Sequence, residues 1–295
     1  MAARAALLTS RLGAACGLAG LAGLCAGLGA GGAAECAGPA RGSAEAERVA
    51  SWTRRWDQYV RDKVKPGFHK SEVHERVLEF YPQLLTERPG RERILVPLCG
   101  KSLDMLFLAQ FGRVAGVEVA QQAIDQFASD NELSYDQELL RESGGTLWRA
   151  TPPQGGEPVT IAKIDFFALP KGWAEGPESS PASADAPKFT ACWDRAAFIA
   201  IDPALRPAYA RVLADEMAPS GKVLLCAIEY DQSRQSGPPW SLDEATVRRL
   251  CEPWFHITLL KEEENIDEAA NAAWKQKGHT TLVEKTYLMV RNDKP

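Results

Sequence analysis

Charged residues stand where three strand-like runs give out, two of them largely apolar and one alternating. Glu118 follows the run 114–117, Asp165 follows 159–164, and the pair Asp194-Arg195 follows 189–193. A carboxylate in such a place can accept hydrogen bonds from paired hydroxyls or an exocyclic amine, and a guanidinium can hold an anion. In an open α/β sheet the ligand lies at the carboxyl ends of the strands, so these groups are expected to converge. Asp165 also reads as a capping aspartate, and Asp194-Arg195 as a structural ion pair. Upstream, Trp52, Trp56 and Tyr59 recur at i, i+4 and i+7 and so share one helical face. Such a stripe packs a helix on its core. It can also present aromatic faces to a cation where water is excluded.

The stretch Arg93-Ile-Leu-Val-Pro-Leu-Cys-Gly-Lys-Ser102 positions the first of these groups. Ile94 to Val96 read as a short buried strand, and Pro97, which cannot donate to a ladder, marks its end. Gly100 allows a tight turn. Leu103, Leu106, Phe107 and Phe111 then give a helical stripe, and a second strand, 114–119, carries Glu118 near its end. Strand, turn, helix and strand with a terminal acid form the first half of a nucleotide-binding unit, with the acid on the ribose hydroxyls roughly 20 residues after the turn. Gly100-Lys101-Ser102 imitates the end of a phosphate-binding loop, but Leu95 stands where that loop needs its first glycine. The dinucleotide fingerprint fails as well, with one glycine where three are wanted. A nucleoside without a pyrophosphate remains, and S-adenosylmethionine (SAM) is such a ligand.

Pro97-Leu-Cys-Gly-Lys-Ser102, Gly116-Val-Glu-Val119, Trp193-Asp-Arg195, Tyr230-Asp231 and Gly237-Pro-Pro-Trp240 resemble the thiopurine S-methyltransferase family. The resemblance spans 51–293. It implies a class I methyltransferase: a Rossmann-like α/β fold whose mostly parallel seven-stranded sheet has helices on both faces and an antiparallel C-terminal strand. It implies SAM as co-substrate, bound by Trp52, Trp56, Leu98, Gly100, Glu118, Asp165, Phe166 and Arg195. It further implies a small aromatic or heterocyclic thiol as acceptor, contacted by Phe68 and Arg195, and a role in detoxification. The Trp-x-x-x-Trp pair followed by Phe68-His69 matches the family's N-terminal signature, although the interval from Trp56 to Phe68 is longer than in the family pattern. The rigid Gly-Pro-Pro turn is expected to frame the acceptor, with Trp240 against it. Arg195 would hold or ionise the thiol, with Asp194 orienting it. Halide, sulfide, selenium or tellurium species are alternative acceptors, and a SAM-binding protein without catalysis is the alternative class.

Composition bounds the rest. A net charge of −5 gives no electrostatic case for nucleic acid. Seven cysteines without CxxC spacing give none for zinc, and Cys99, Cys192 and Cys226 read as buried reduced thiols. His69 and His74, among Glu72 and Glu75, read as a polar surface helix rather than a metal site. No metal and a monomer are expected. Residues 1–34 lack acids and carry Arg4 and Arg11 before a long Ala/Gly/Leu/Cys tract. They read as an organellar (mitochondrial or plastid) transit peptide, with a secretory signal, a membrane anchor or a disordered extension on a cytoplasmic enzyme as alternatives. Residues 35–50 read as a linker, 134–147 as irregular and 171–188 as a flexible insertion. Helices are expected over 121–131, 204–217 and 242–250. A buried strand is expected over 222–230, and a closing antiparallel pair over 255–261 and 281–290.

Overall fold

The computed structural model of the chain describes residues 41–62, 69–86, 90–140, 144–175 and 187–292. The helices are α1 (Arg41–Asp62), α2 (Glu75–Leu84), α3 (Asp104–Leu108), α4 (Gln121–Asp130), α5 (Arg206–Glu216), α6 (Glu244–Cys251) and α7 (Ala272–Gln276). The strands are β1 (Glu92–Val96), β2 (Gly112–Glu118), β3 (Tyr135–Leu140), β4 (Gly145–Ala150) and β5 (Val159–Lys163). They continue with β6 (Phe189–Arg195), β7 (Met217–Glu229), β8 (Phe255–Glu264) and β9 (Val283–Arg291).

All nine strands form one sheet in the order β3-β4-β5-β2-β1-β6-β7-β9-β8. The run from β5 to β7 is parallel, because apolar strands covered on both faces suit helical crossovers. Alternation along β1 shows the two faces. Ile94 and Val96 join Val77, Phe80, Met105 and Ile124 on one side, while Leu95 joins Tyr209, Leu213 and Val247 on the other. Thus α2, α3 and α4 cover one face, and α5 and α6 the other. β1 lies between β2 and β6, where the strand order reverses. That is the place at which an α/β sheet opens a crevice for its ligand.

The expected α/β architecture with an antiparallel C-terminal strand is present, but the sheet has nine strands rather than seven. Residues 134–147, read as irregular, supply β3 and the start of β4, which pair antiparallel and extend the sheet beyond β5. β3 is a solvent-facing edge, with Leu139 62% exposed, so its sequence lacks the apolar run that marks an inner strand. The pair β8 and β9 closes the other edge as expected. The helix expected over 204–217 ends at Glu216, and β7 starts directly after it rather than beyond Gly221. Residues 41–50, read as linker, are the first turns of α1. Within 171–188, Trp173 is buried and donates its indole N–H to Glu216 at 3.0 Å; 176–186 lie outside the described residues. So does the leader, 1–34. Among the described residues no helix is long and apolar enough to cross a membrane.

Candidate active site

The turn after β1 carries two residues in the left-handed region, Leu98 (φ 46°) and Gly100 (φ 54°). This conformation lets the backbone fold back, so that Cys99 N–H reaches the Val117 carbonyl at 2.9 Å. It also leaves Gly100 N–H facing the end of β2, where it donates to Glu118 Oε2 at 2.9 Å. Glu118 Oε1 accepts from Val119 and Ala120 N–H, both at 2.8 Å. Burial pushes this carboxyl's pKa up, and the three N–H groups pull against it. An ionised carboxylate has about four acceptor positions, so capacity remains for a ribose hydroxyl.

α1 lies over this turn, and its two tryptophans differ in role. Trp56 is 2% exposed and packs with Ala120 and Ala123. A Cβ on Gly100 would come within 3.1 Å of Trp56 Cζ2, so glycine there lets the helix seat. Trp52, one turn earlier, lines the cleft. Tyr59 completes the stripe by accepting from Lys101 Nζ at 2.8 Å, and the same ammonium reaches Asp130 at 2.7 Å. Lys101 therefore ties α1 to α4, in keeping with the rejected phosphate-loop reading.

At the end of β5, Asp165 caps the short turn that follows by accepting from Phe167 N–H at 3.0 Å. Its other oxygen accepts from Arg48 of α1, whose guanidinium lies 5.0 Å from the Phe167 ring centroid. Phe166 is buried beside them and lines the cleft. Asp165 is thus a cap that also lines the cleft, with Arg48 on its second oxygen. Arg48 carries no local signal in the sequence, because it lies in the segment read as linker and its partner is 117 residues away.

Glu118, Asp165, Arg195, Leu98, Gly100, Phe166 and both tryptophans line one cleft of about 710 Å³. Trp193 and Arg195, two apart on β6, share the face that opens into it. Asp194 points the other way. It is fully buried and accepts from Tyr209 Oη at 2.7 Å and Phe198 N–H at 3.0 Å. Its expected task of orienting Arg195 is therefore corrected: neighbours on a strand face opposite sides, and Asp194 belongs to the core. Burial raises its pKa to about 6. Burial also lowers that of Arg195, with Cys226, Asp104 and Glu284 opposing.

Trp240 is corrected too. Pro238 and Pro239 line the cleft, whereas Trp240 does not. Its ring lies against Gly237, where a Cβ would fall 2.2 Å from Trp240 Cδ2, and its backbone bonds Ile199 and Arg206. Phe68 lies outside the described residues. His74, expected on a polar surface, is 7% exposed and caps α2 by accepting from Arg76 N–H at 3.2 Å. Asp104, unremarked in the sequence, holds this corner: Oδ1 accepts from His74 N–H and Oδ2 from Trp193 Nε1–H, each at 2.7 Å. Cys99, Cys192 and Cys226 are buried thiols whose pKa values burial drives well up. Among the described residues no cluster could hold a metal ion.

The crevice between β2, β1 and β6, with an acid at the end of β2 and no phosphate cradle, fits a nucleoside-bearing methyl donor. Solved methyltransferases share the fold. A SAM-dependent methyltransferase from Anabaena variabilis superposes with a TM-score of 0.53 at 13% identity, over 83% of this chain and 95% of that one. The 1,6-didemethyltoxoflavin-N1-methyltransferase of Burkholderia thailandensis, solved with S-adenosylhomocysteine, gives 0.52 at 13% identity over 88% and 93%. The protein has the architecture of the class I SAM-dependent methyltransferases.

The sequence places it further. The family model described as thiopurine S-methyltransferase matches residues 48–292, and the chain belongs to that family. A thiopurine S-methyltransferase of Pseudomonas fluorescens is 35% identical over 240 residues, covering 80% of this chain and 95% of that protein. A probable thiopurine S-methyltransferase of Danio rerio is 31% identical over 253 residues, covering 84% and 97%.

Proposed function

We propose that the protein transfers the SAM methyl group to the sulfur of a small aromatic or heterocyclic thiol. One observation carries this reading: the cleft presents the half-buried Arg195 guanidinium on the strand face it shares with Trp193, and the imidazole of His74 in its wall is held neutral, with a pKa lowered to about 3. An amine or alcohol acceptor needs a group poised to take its proton near neutral pH. A thiol, with an ordinary pKa of about 8.5, needs far less help, and aromatic thiols less again.

When bound, SAM supplies an electrophilic methyl group on a sulfonium centre. Glu118 and the Gly100 turn fit its ribose. Trp52 covers the cleft and excludes water, which strengthens the attraction between aromatic faces and a cation. Arg195 favours the thiolate over the thiol. The rest is positioning, which alone lowers a barrier by several kcal/mol when the reacting atoms are held in line. The family relatives bear the thiopurine name, which supports a heterocyclic thiol over the halide, selenium and tellurium alternatives.

The test is an acceptor panel with methyl-labelled SAM: aromatic and heterocyclic thiols, sulfide, halides and selenols. Methylated aromatic or heterocyclic thiols are expected to dominate, and Arg195→Ala to lower their turnover at least about tenfold. Faster methylation of a halide or selenol would overturn the thiol reading. An Arg195→Ala enzyme that turns over several thiols at the parent rate would remove Arg195 from the mechanism.

A further inference from the structure

His74 is placed for more than capping a helix. Its backbone N–H is held by Asp104, and its carbonyl accepts from Val77 and Leu78 N–H at 3.1 and 3.2 Å. The imidazole lies against Trp193, with ring centroids 5.8 Å apart. Nδ1 accepts from Arg76 N–H, so in the neutral ring the proton sits on Nε2. That nitrogen has no hydrogen-bond partner among the described residues and is not sealed from the cleft. The ring is therefore held in one tautomer, and its single donor is left without a protein partner at the wall of the cleft.

Arg195 extends from the same face of β6 as Trp193, on which the imidazole rests. Of the charges acting on His74, that of Arg195 is the largest, followed by Lys70 and Arg76. The carboxylates near this corner already carry donors. Asp104 accepts from His74 and Trp193, and Glu284 accepts from Arg76 Nε at 2.9 Å. A fixed neutral N–H beside a guanidinium, both in the wall of one cleft, is an arrangement that receives negative charge.

We propose that His74 is a ligand-contacting residue: its Nε2–H and the Arg195 guanidinium together bind an anionic group of a bound reactant. Two groups have that chemistry. One is the carboxylate on the amino-acid tail of the methyl donor. The other is the sulfur of the acceptor as its thiolate. Only the second rests on the thiol reading above, and the binding measurements below require no methyl transfer.

The variant that separates the donor from the cap is His74→Asn. Asparagine is among the best N-cap residues and can still accept from the helix, but its amide is too short to replace Nε2–H in the cleft. The full-length variant and the parent are titrated by calorimetry with S-adenosylhomocysteine, with 5′-methylthioadenosine, which lacks the carboxylate, and with an aromatic thiolate in the presence of S-adenosylhomocysteine. Thermal unfolding at pH 8 checks the fold. A hydrogen bond to a charged group corresponds to a loss of about tenfold or more in affinity. A fall for S-adenosylhomocysteine with 5′-methylthioadenosine unchanged supports the proposal and identifies the donor's carboxylate. A fall confined to the thiolate supports it and identifies the acceptor. Unchanged affinity for all three ligands, or an equal fall for all three, overturns it. Should His74→Asn unfold, His74→Ser, which keeps a capping oxygen, is judged by the same criteria.

Discussion

Acidification should stress this fold through His74 and relieve it through Asp194, and the two effects can be separated. His74 is buried on Trp193, with Arg76 on its own helix, Arg195 on β6 and Lys70 before α2 all disfavouring its protonation, while Asp104 bonds its backbone. Its folded pKa of about 3 lies below the ordinary 6.5. The stability it contributes is therefore complete above pH 6.5 and is lost as the pH falls toward 3. Between pH 8 and pH 5 the loss is roughly 2 kcal/mol, taking 1.36 kcal/mol per unit over about 1.5 units. Asp194 has the opposite sign. Its folded pKa of about 6 lies above the ordinary 3.8, because burial outweighs the bonds from Tyr209 and Phe198. Its contribution is complete below 3.8 and is lost as the pH rises through 6, so going from pH 8 to pH 5 returns roughly 1 kcal/mol.

In the parent chain the second contribution offsets the first only in part. His74→Asn keeps the cap and removes the titrating ring, so the variant should lose about 2 kcal/mol less than the parent between pH 8 and pH 5. In a domain of this size that corresponds to a difference in Tm shift of roughly 4–8 °C. Asp194→Asn should lose about 1 kcal/mol more than the parent over the same interval. Urea unfolding at pH 8, 6.5 and 5, with thermal melts alongside, measures all three proteins. If His74→Asn and the parent give parallel stability curves, the imidazole is already accessible to protons in the folded state and the geometry assigned to it is wrong.

Two further predictions concern the turn. Glu118→Gln leaves one acceptor oxygen and sets an amide N–H₂ against backbone donors. Since hydrogen bonds to a charged group are worth about 1.5–3 kcal/mol each, calorimetric affinity for SAM should fall at least about tenfold. An unchanged affinity would place the ribose elsewhere. Gly100→Ala must hold a side chain at φ 54° with its Cβ 3.1 Å from Trp56 Cζ2. A loss of about 1–2 kcal/mol is expected in urea unfolding, and an equal or raised stability would show that α1 does not seat on this turn.

The parts of the site legible in the sequence are those fixed by local order. Glu118 and Gly100 belong to a strand, a turn, a helix and a second strand, and each step leaves a mark in residue type. Cys192, Cys226 and the inward residues of α4 were readable for the same reason: apolar periodicity marks them directly. The orientation of Asp194 is legible in the sequence, because the run from Phe189 to Arg195 reads as one strand and adjacent residues on a strand cannot both face one cleft. The Trp-Asp-Arg motif groups two residues that the pleat separates. Trp240 failed differently. Its ring is claimed by the close approach to Gly237 rather than by the cleft, and nothing in a Gly-Pro-Pro-Trp string says which side of the turn the indole takes.

Arg48 and His74 had no local signal, and the reason is physical. Arg48 acts on a carboxylate 117 residues away, and that pairing exists only once α1 has crossed the ends of β2 and β5. Histidine is not a favoured N-cap, so His74 before Glu75-Arg76-Val77 gave no helix start of the usual kind. What makes it a cap is Asp104, which opens α3 and holds the backbone N–H of residue 74. The same carboxylate fixes Trp193, and Trp193 carries the imidazole. One buried aspartate thus converts a strand-end motif and a separate helix start into a single corner of the cleft. A donor that depends on such convergence becomes visible only when the fold has brought its supports together.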